Sequence, residues 1–94
     1  MSEKTKELVK EFTVLNKYGI HARPAALFVK TASRFQSEIW VERGSSRVSG
    51  KSIMGLMTIE ASYGTRLKVY CSGPDAEEAM NAIGKLFEEK FMEE

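Results

Sequence analysis

Apolar positions along the 94-residue chain change their period several times, and each change marks an element. Residues 8–14 alternate, with Phe12 and Val14 set against Thr13, which predicts a strand. Asn16-Lys17-Tyr18-Gly19 has the composition of a turn. The period then lengthens. Ala25, Phe28, Val29, Ala32 and Phe35 fall on one face of a helix, with Pro24 in its first turn, where a missing N–H does no harm. Alternation returns over 37–43, where Ile39 and Val41 are set against Trp40 and Glu42. Gly44-Ser45-Ser46 predicts a hairpin turn and Arg47-Val48-Ser49 a short return strand. Ser52 can N-cap a short helix through about Ile59, whose apolar residues are Ile53, Met54, Leu56 and Met57. After a turn at 63–65, Leu67, Val69 and Cys71 alternate with Lys68 and Tyr70 in a last strand. Gly73-Pro74-Asp75 opens the final helix. There Asp75 and Glu78 have capping-box spacing, and Ala76, Ala79, Met80, Ile83 and Phe87 form the buried stripe. Residues 1–7 are expected to be a flexible extension of a single domain. The order β-α-β-β-α-β-α predicts an α+β fold, a four-stranded, mostly antiparallel sheet with three helices on one face.

Composition narrows the function. The chain is 43% hydrophobic, too apolar for a disordered segment, yet it is short enough that its core must be small. That leaves no room for a deep substrate cavity and excludes a large multi-part enzyme. A net charge of +1 argues against nucleic acid as the main partner, as does the lack of an aromatic pair on any one strand. One cysteine, Cys71, excludes an internal disulfide, and its alternating strand makes it a small buried hydrophobe. With a single histidine, Zn²⁺ has almost no ligand set, and neither a metal nor a cofactor is expected. The polar N-terminus lacks the apolar core of a signal peptide, and no stretch reaches the ~20 apolar residues of a membrane span. A cytoplasmic protein without membrane insertion is expected.

Charge is unevenly distributed. Residues 12–37 and 43–59 contain no Asp or Glu, whereas 75–94 carry seven acids against Lys85 and Lys90. If the two acid-free segments share a face, that face attracts anions. Gly50-Lys51-Ser52 has the ending of a phosphate-binding P-loop, but residue 45 is Ser where that motif needs Gly. His21 carries more weight. It sits where a loop meets the Pro24 helix, so the N–H groups of Ala22 and Arg23 point outward with the positive end of the helix dipole. Arg23 can offer paired N–H donors to phosphate oxygens. The dipole and the cation disfavour imidazolium, which leaves a ring nitrogen nucleophilic. An imidazole nucleophile beside a phosphate cradle suggests transient phosphorylation on nitrogen.

Gly19-Ile20-His21-Ala22-Arg23-Pro24-Ala25 resembles the active-site signature of the HPr family, the histidine-containing phosphocarriers of the bacterial phosphoenolpyruvate:sugar phosphotransferase system. Lys51-Ser52-Ile53-Met54-Gly55-Leu56-Met57 resembles that family's second signature, and Gly73-Pro74-Asp75-Ala76-Glu77-Glu78-Ala79 its entry into the last helix. The resemblance runs from about residue 10 to 91. It implies an open-faced β-sandwich, with His21 phosphorylated at Nδ1 and Arg23 stabilising the phosphate. It also implies a carrier that is not itself a turnover catalyst. Enzyme I would be the donor, and histidines of sugar-specific IIA domains the acceptors. Ser52 matches the serine that an HPr kinase/phosphorylase modifies in some members, although a serine there also suits a plain helix cap. Docking is expected to use Ala22, Ala26, Lys30, Ile53, Met54 and Met57, on a monomer. The alternatives are a carrier of the nitrogen-related branch, with the same chemistry and regulatory partners, or a purely regulatory binding module.

Overall fold

The structure, a computed structural model, describes residues 7–93. The expected flexible extension at 1–7 lies outside the described residues except for Glu7, which opens the first strand. The elements are β1 (Glu7–Thr13), α1 (Ala22–Ala32), β2 (Glu38–Arg43), β3 (Ser46–Ser49), α2 (Ile53–Thr58), β4 (Arg66–Ser72) and α3 (Ala76–Glu88). A single 3₁₀ turn, Lys90–Met92, follows. No helix among the described residues is long and apolar enough to cross a membrane.

The four strands form one antiparallel sheet in the order β1-β4-β2-β3. β4 separates β1 from β2, and β2 separates β3 from β4, so two β-α-β units interleave. Alternation places Leu8, Phe12, Ile39, Val41, Val48, Leu67, Val69 and Cys71 on one face, where they meet the apolar stripes of the helices. Ala25, Phe28 and Ala32 of α1 and Ala79, Ile83 and Phe87 of α3 are buried there. This is the expected α+β architecture with its helices on one side. Burial pushes the Cys71 thiol up to about 11, with Asp75 adding to the effect, so it stays a protonated core group.

Three local readings change. Val14 lies just past β1, where its N–H donates to the Thr65 carbonyl at 2.8 Å and its side chain is buried. The first helix ends at Ala32, and Phe35 follows it in a turn with its N–H on the Ala32 carbonyl. Phe35 still packs against the core, which is why the helical period extends past the helix. Asp75 occupies the N-cap position of α3 but makes no capping bond. Its carboxylate instead accepts from the Ser37 hydroxyl at 2.6 Å and from the backbone N–H groups of Gln36 and Ser37, both at 2.9 Å. The capping-box spacing thus serves a tertiary clamp between the α1–β2 loop and α3. At Gly50 a Cβ would lie 2.6 Å from Ile39 Cγ2 and 3.0 Å from Phe28 Cε1. This glycine permits close packing of the chain on β2 and has no phosphate-loop geometry.

The C-terminal end is built on aromatic contacts. Phe87 stacks on Phe12 at 4.7 Å and meets Phe28 and Phe91 edge-on at 6.4 and 5.0 Å. Lys90, Phe91 and Met92 all have φ between 52° and 63°, the left-handed region. That conformation costs L-residues about 1–2 kcal/mol each. Burying Phe91 returns about 1.5–3 kcal/mol, and its pairing with Phe87 about 0.5–1.5 kcal/mol. Burial and pairing of Phe91 thus offset a large part of that cost.

The Ser37 hydroxyl, helped by the two backbone donors, keeps the Asp75 carboxyl below the usual carboxylate range. A group depressed on folding stabilises above its unfolded value of about 3.9 and loses that contribution as pH falls through the folded value. Asp75→Asn should therefore lower the melting temperature at neutral pH. The gap to the wild type should narrow as pH falls from about 5 toward 2, read by thermal melts across that range.

Candidate functional site

The loop before α1 is tied down at every step. Asn16, only 2% exposed, donates from Nδ2 to the Gly19 carbonyl at 2.7 Å, and the Gly19 N–H returns to the Asn16 carbonyl at 3.1 Å. Gly19 has φ +72°, and a Cβ there would run into the Ala61 carbonyl oxygen and lie 2.8 Å from Ser62 Cα. Only glycine fits. The Ile20 N–H donates to Ala61 at 2.8 Å and its side chain enters the core. After these anchors the chain turns outward at His21.

His21 is the N-cap of α1, in extended conformation, and its side chain makes no capping bond. The Ala25 N–H reaches the His21 carbonyl at 2.9 Å, and Pro24 has no N–H to satisfy. Among the described residues nothing accepts from the N–H groups of Ala22 and Arg23. The second helix start is closed by contrast, since Ser52 Oγ accepts from the Gly55 N–H at 3.0 Å. The sequence therefore caps α2 with its own serine and leaves α1 open beside an imidazole. Arg23 is exposed and borders a cleft with Lys17, Tyr18, Met92 and Glu93.

Glu93 corrects the expectation of an acid-free face. Its Oε2 lies 3.1 Å from His21 Nε2, and its Oε1 accepts from Asn16 Nδ2 at 3.2 Å. Nothing in local spacing announces a contact across 72 residues; the acid excess of the tail was the only hint. The role of Asn16 was equally hidden behind its turn composition.

The remaining candidates lie on two adjacent helices. Ala22, Ala26 and Lys30 are exposed on α1, and Ile53, Met54 and Met57 on α2, where Met54 is 74% exposed. The two helices pack antiparallel. Lys51 Nζ donates to the Phe35 carbonyl at 2.8 Å beside the end of α1, while Ile20 and Ala61 pair beside its start. Ser52 therefore lies toward the opposite end of α1 from His21. A six-residue helix has too little surface to bury all its apolar groups, and only Leu56 is buried. Among the described residues no group of three or more His, Cys, Asp or Glu could hold a metal ion.

The open face of the sheet carries a second feature. Trp40 and Tyr70 are register partners on β2 and β4, so tertiary pairing assembles an aromatic pair that neither strand holds alone. Arg47 lies over both rings, at 5.6 and 4.4 Å, and the Tyr70 hydroxyl donates to Glu42 at 2.8 Å. That bond raises the Tyr70 hydroxyl above its usual range. With Arg47 covering the rings, the pair is engaged within the fold.

Comparison with known proteins identifies relatives across nearly the whole chain. The family model described as PTS HPr component phosphorylation site matches residues 8–89. The phosphocarrier protein HPr of Treponema pallidum (strain Nichols) is 51% identical over 87 residues, which cover 93% of this chain and 99% of that protein. The crystal structure of HPr-C-His from Thermoanaerobacter tengcongensis superposes with a TM-score of 0.85 at 50% identity, covering 95% of this chain and 98% of that one. A crystal structure of an HPr dimer from the same organism superposes with a TM-score of 0.75 at 51% identity, covering 89% and 99% of the two chains. With one signature at the open end of α1, the other at the capped start of α2 and the fold shared throughout, the chain belongs to the HPr family of phosphocarrier proteins.

Proposed function

We propose that this chain carries a phosphoryl group on His21 from a phosphorylated Enzyme I to histidines of sugar-specific IIA domains. The observation that carries the reading is the uncapped start of α1, where an exposed imidazole stands beside two open N–H groups and Arg23. A ring nitrogen of His21 attacks phosphorus, and the donor's N–P bond breaks with its electron pair returning to the donor ring. Backbone N–H groups and the helix dipole then face the new anion, and Arg23 offers a planar pair of donors. The same steps run in reverse order of partners when the group is passed on. The protein ends each cycle unchanged only through its two partners, so it acts as a carrier and not as a turnover catalyst.

A carrier must present one atom to two different proteins. An exposed His21 flanked by Ala22, Ala26 and Lys30, with Ile53, Met54 and Met57 on the adjoining helix, suits a shallow surface that both can cover in turn. Flexible methionines suit alternate partners. We take a single cytoplasmic copy as the carrying unit, because His21, Arg23 and the open helix end come from one chain. The dimer described for the relative is a property of that protein.

His21→Ala should abolish phosphate incorporation from Enzyme I and phosphoenolpyruvate, read by intact mass. Incorporation that survives the substitution would place the acceptor elsewhere. For Arg23→Ala, loss of a charge-assisted bond worth about 1.5–3 kcal/mol should slow transfer by roughly 10–100-fold with the fold retained. Arg23→Lys should recover only part of that rate, since an ammonium lacks the planar fork.

Ser52 is proposed as the regulatory site of an HPr kinase/phosphorylase. It lies toward the opposite end of α1 from His21, so its charge is taken to act on docking more than on phospho-His21. Ser52→Asp keeps an N-cap acceptor and places negative charge at a helix start, favoured by about 0.3–1 kcal/mol. The partner must desolvate that charge beside Ile53 and Met54. The variant should melt no lower than the wild type, yet accept phosphate from Enzyme I at least ~10-fold more slowly. A wild-type rate would leave Ser52 as a helix cap only.

A further inference from the structure

Glu93 is unaccounted for by the reading above, and its surroundings are built. Asn16, nearly fully buried, has its two amide hydrogens directed at the Gly19 carbonyl and at Glu93 Oε1. Turning the amide over would set its oxygen against both acceptors, so the orientation is fixed. The left-handed turn at Lys90–Met92, anchored by buried Phe91, delivers Glu93 to this position. Its other oxygen faces His21 Nε2 at 3.1 Å. A carboxylate only accepts, so Nε2 carries the hydrogen. Among the described residues Nδ1 has no partner.

We propose that Glu93 is a positioning residue for phosphoryl transfer. Held by Asn16, it selects the Nε2–H form of His21 and turns the Nδ1 lone pair outward as the nucleophile. The proposal rests on the carrier reading for its chemistry. When the Nδ1–P bond forms and the donor's N–P bond breaks, the Nε2 hydrogen stays in place. The ring then bears a formal positive charge that it lacked before. The Glu93 carboxylate faces that charge as it develops, the arrangement by which a buried acid supports an imidazole in other nucleophilic sites. Arg23 and the helix end attend to the phosphoryl oxygens, and Glu93 to the opposite side of the ring. The two sets of charges are thus divided between the two reacting groups.

Two measurements test this on the full chain, with Glu93→Gln and Glu93→Ala. The first is the ¹⁵N spectrum of the His21 ring in the free protein at about pH 8.5, where an ordinary imidazole is neutral. The wild type should show hydrogen at Nε2 alone, and Glu93→Ala a mixture of the two forms. The second is the rate of phosphate acceptance from phosphorylated Enzyme I as a function of carrier concentration. Glu93→Ala should lower kcat roughly tenfold with KM little changed. Glu93→Gln, which keeps an acceptor without the charge, should fall between it and the wild type. Hydrogen at Nδ1 in the wild type, an unchanged kcat in Glu93→Ala, or a loss confined to KM would each overturn the proposal. If the wild type accepts no phosphate at all, the carrier reading fails, while the ring spectrum still decides whether Glu93 sets the tautomer.

Discussion

A helix that begins without a cap leaves backbone donors pointing at solvent, and the fold around α1 is arranged to keep it that way. Capping would have been simple, as Ser52 demonstrates on α2 through its bond to the Gly55 N–H. At α1 the equivalent position is His21, whose side chain makes no capping bond. An open end must be immobilised by something other than its own cap. Asn16 closes the preceding loop, Gly19 lets it pass against the Ala61 carbonyl, and Ile20 plugs into the core. Behind them Ala25 and Phe28 seat the helix on the sheet. Rigid support beneath an unsatisfied helix terminus is what a preorganised anion site requires.

The amphipathic stripes of α1 and α3 and the alternation of β2 and β4 were legible because they are local consequences of a buried face. The open end of α1 was legible too, since Pro24 and the Gly19 turn bracket His21 within a few residues. Features made by chain segments far apart were not. Asp75 has the spacing of a cap, yet the nearest well-placed donors belong to Ser37 and Gln36 on another loop. Trp40 and Tyr70 become a pair only when β4 inserts next to β2. Glu93 sits in an acidic tail that composition assigns to solvent, and a left-handed turn with no glycine carries it to the imidazole. No propensity foretells three consecutive non-glycine residues in that conformation, because tertiary contacts hold them there.

The exposed apolar groups of α2 follow from its length. With one residue, Leu56, committed to the core, Ile53, Met54 and Met57 have nowhere to go. The hydrogen bond from Lys51 to the end of α1 and that from Arg43 to the Ile59 carbonyl at 2.9 Å hold the helix at both ends. The exposed side chains thus project from a helix anchored at both ends, an arrangement that suits a surface able to adapt by side chain alone.

The interleaved sheet has a consequence for how the molecule comes into being. β4, the last strand in the chain, sits between β1 and β2 and pairs with both. Until it has left the ribosome, the earlier segments have only the short β2–β3 ladder to form, and α1 has no complete sheet to lie on. Pairings this distant in sequence make folding a late and concerted event rather than a progressive one. The imidazole, encoded early in the chain, takes part of its surroundings from segments well downstream, Ala61 behind its loop and Glu93 at its ring. The helix start that presents His21 thus takes its final form together with the sheet and not ahead of it.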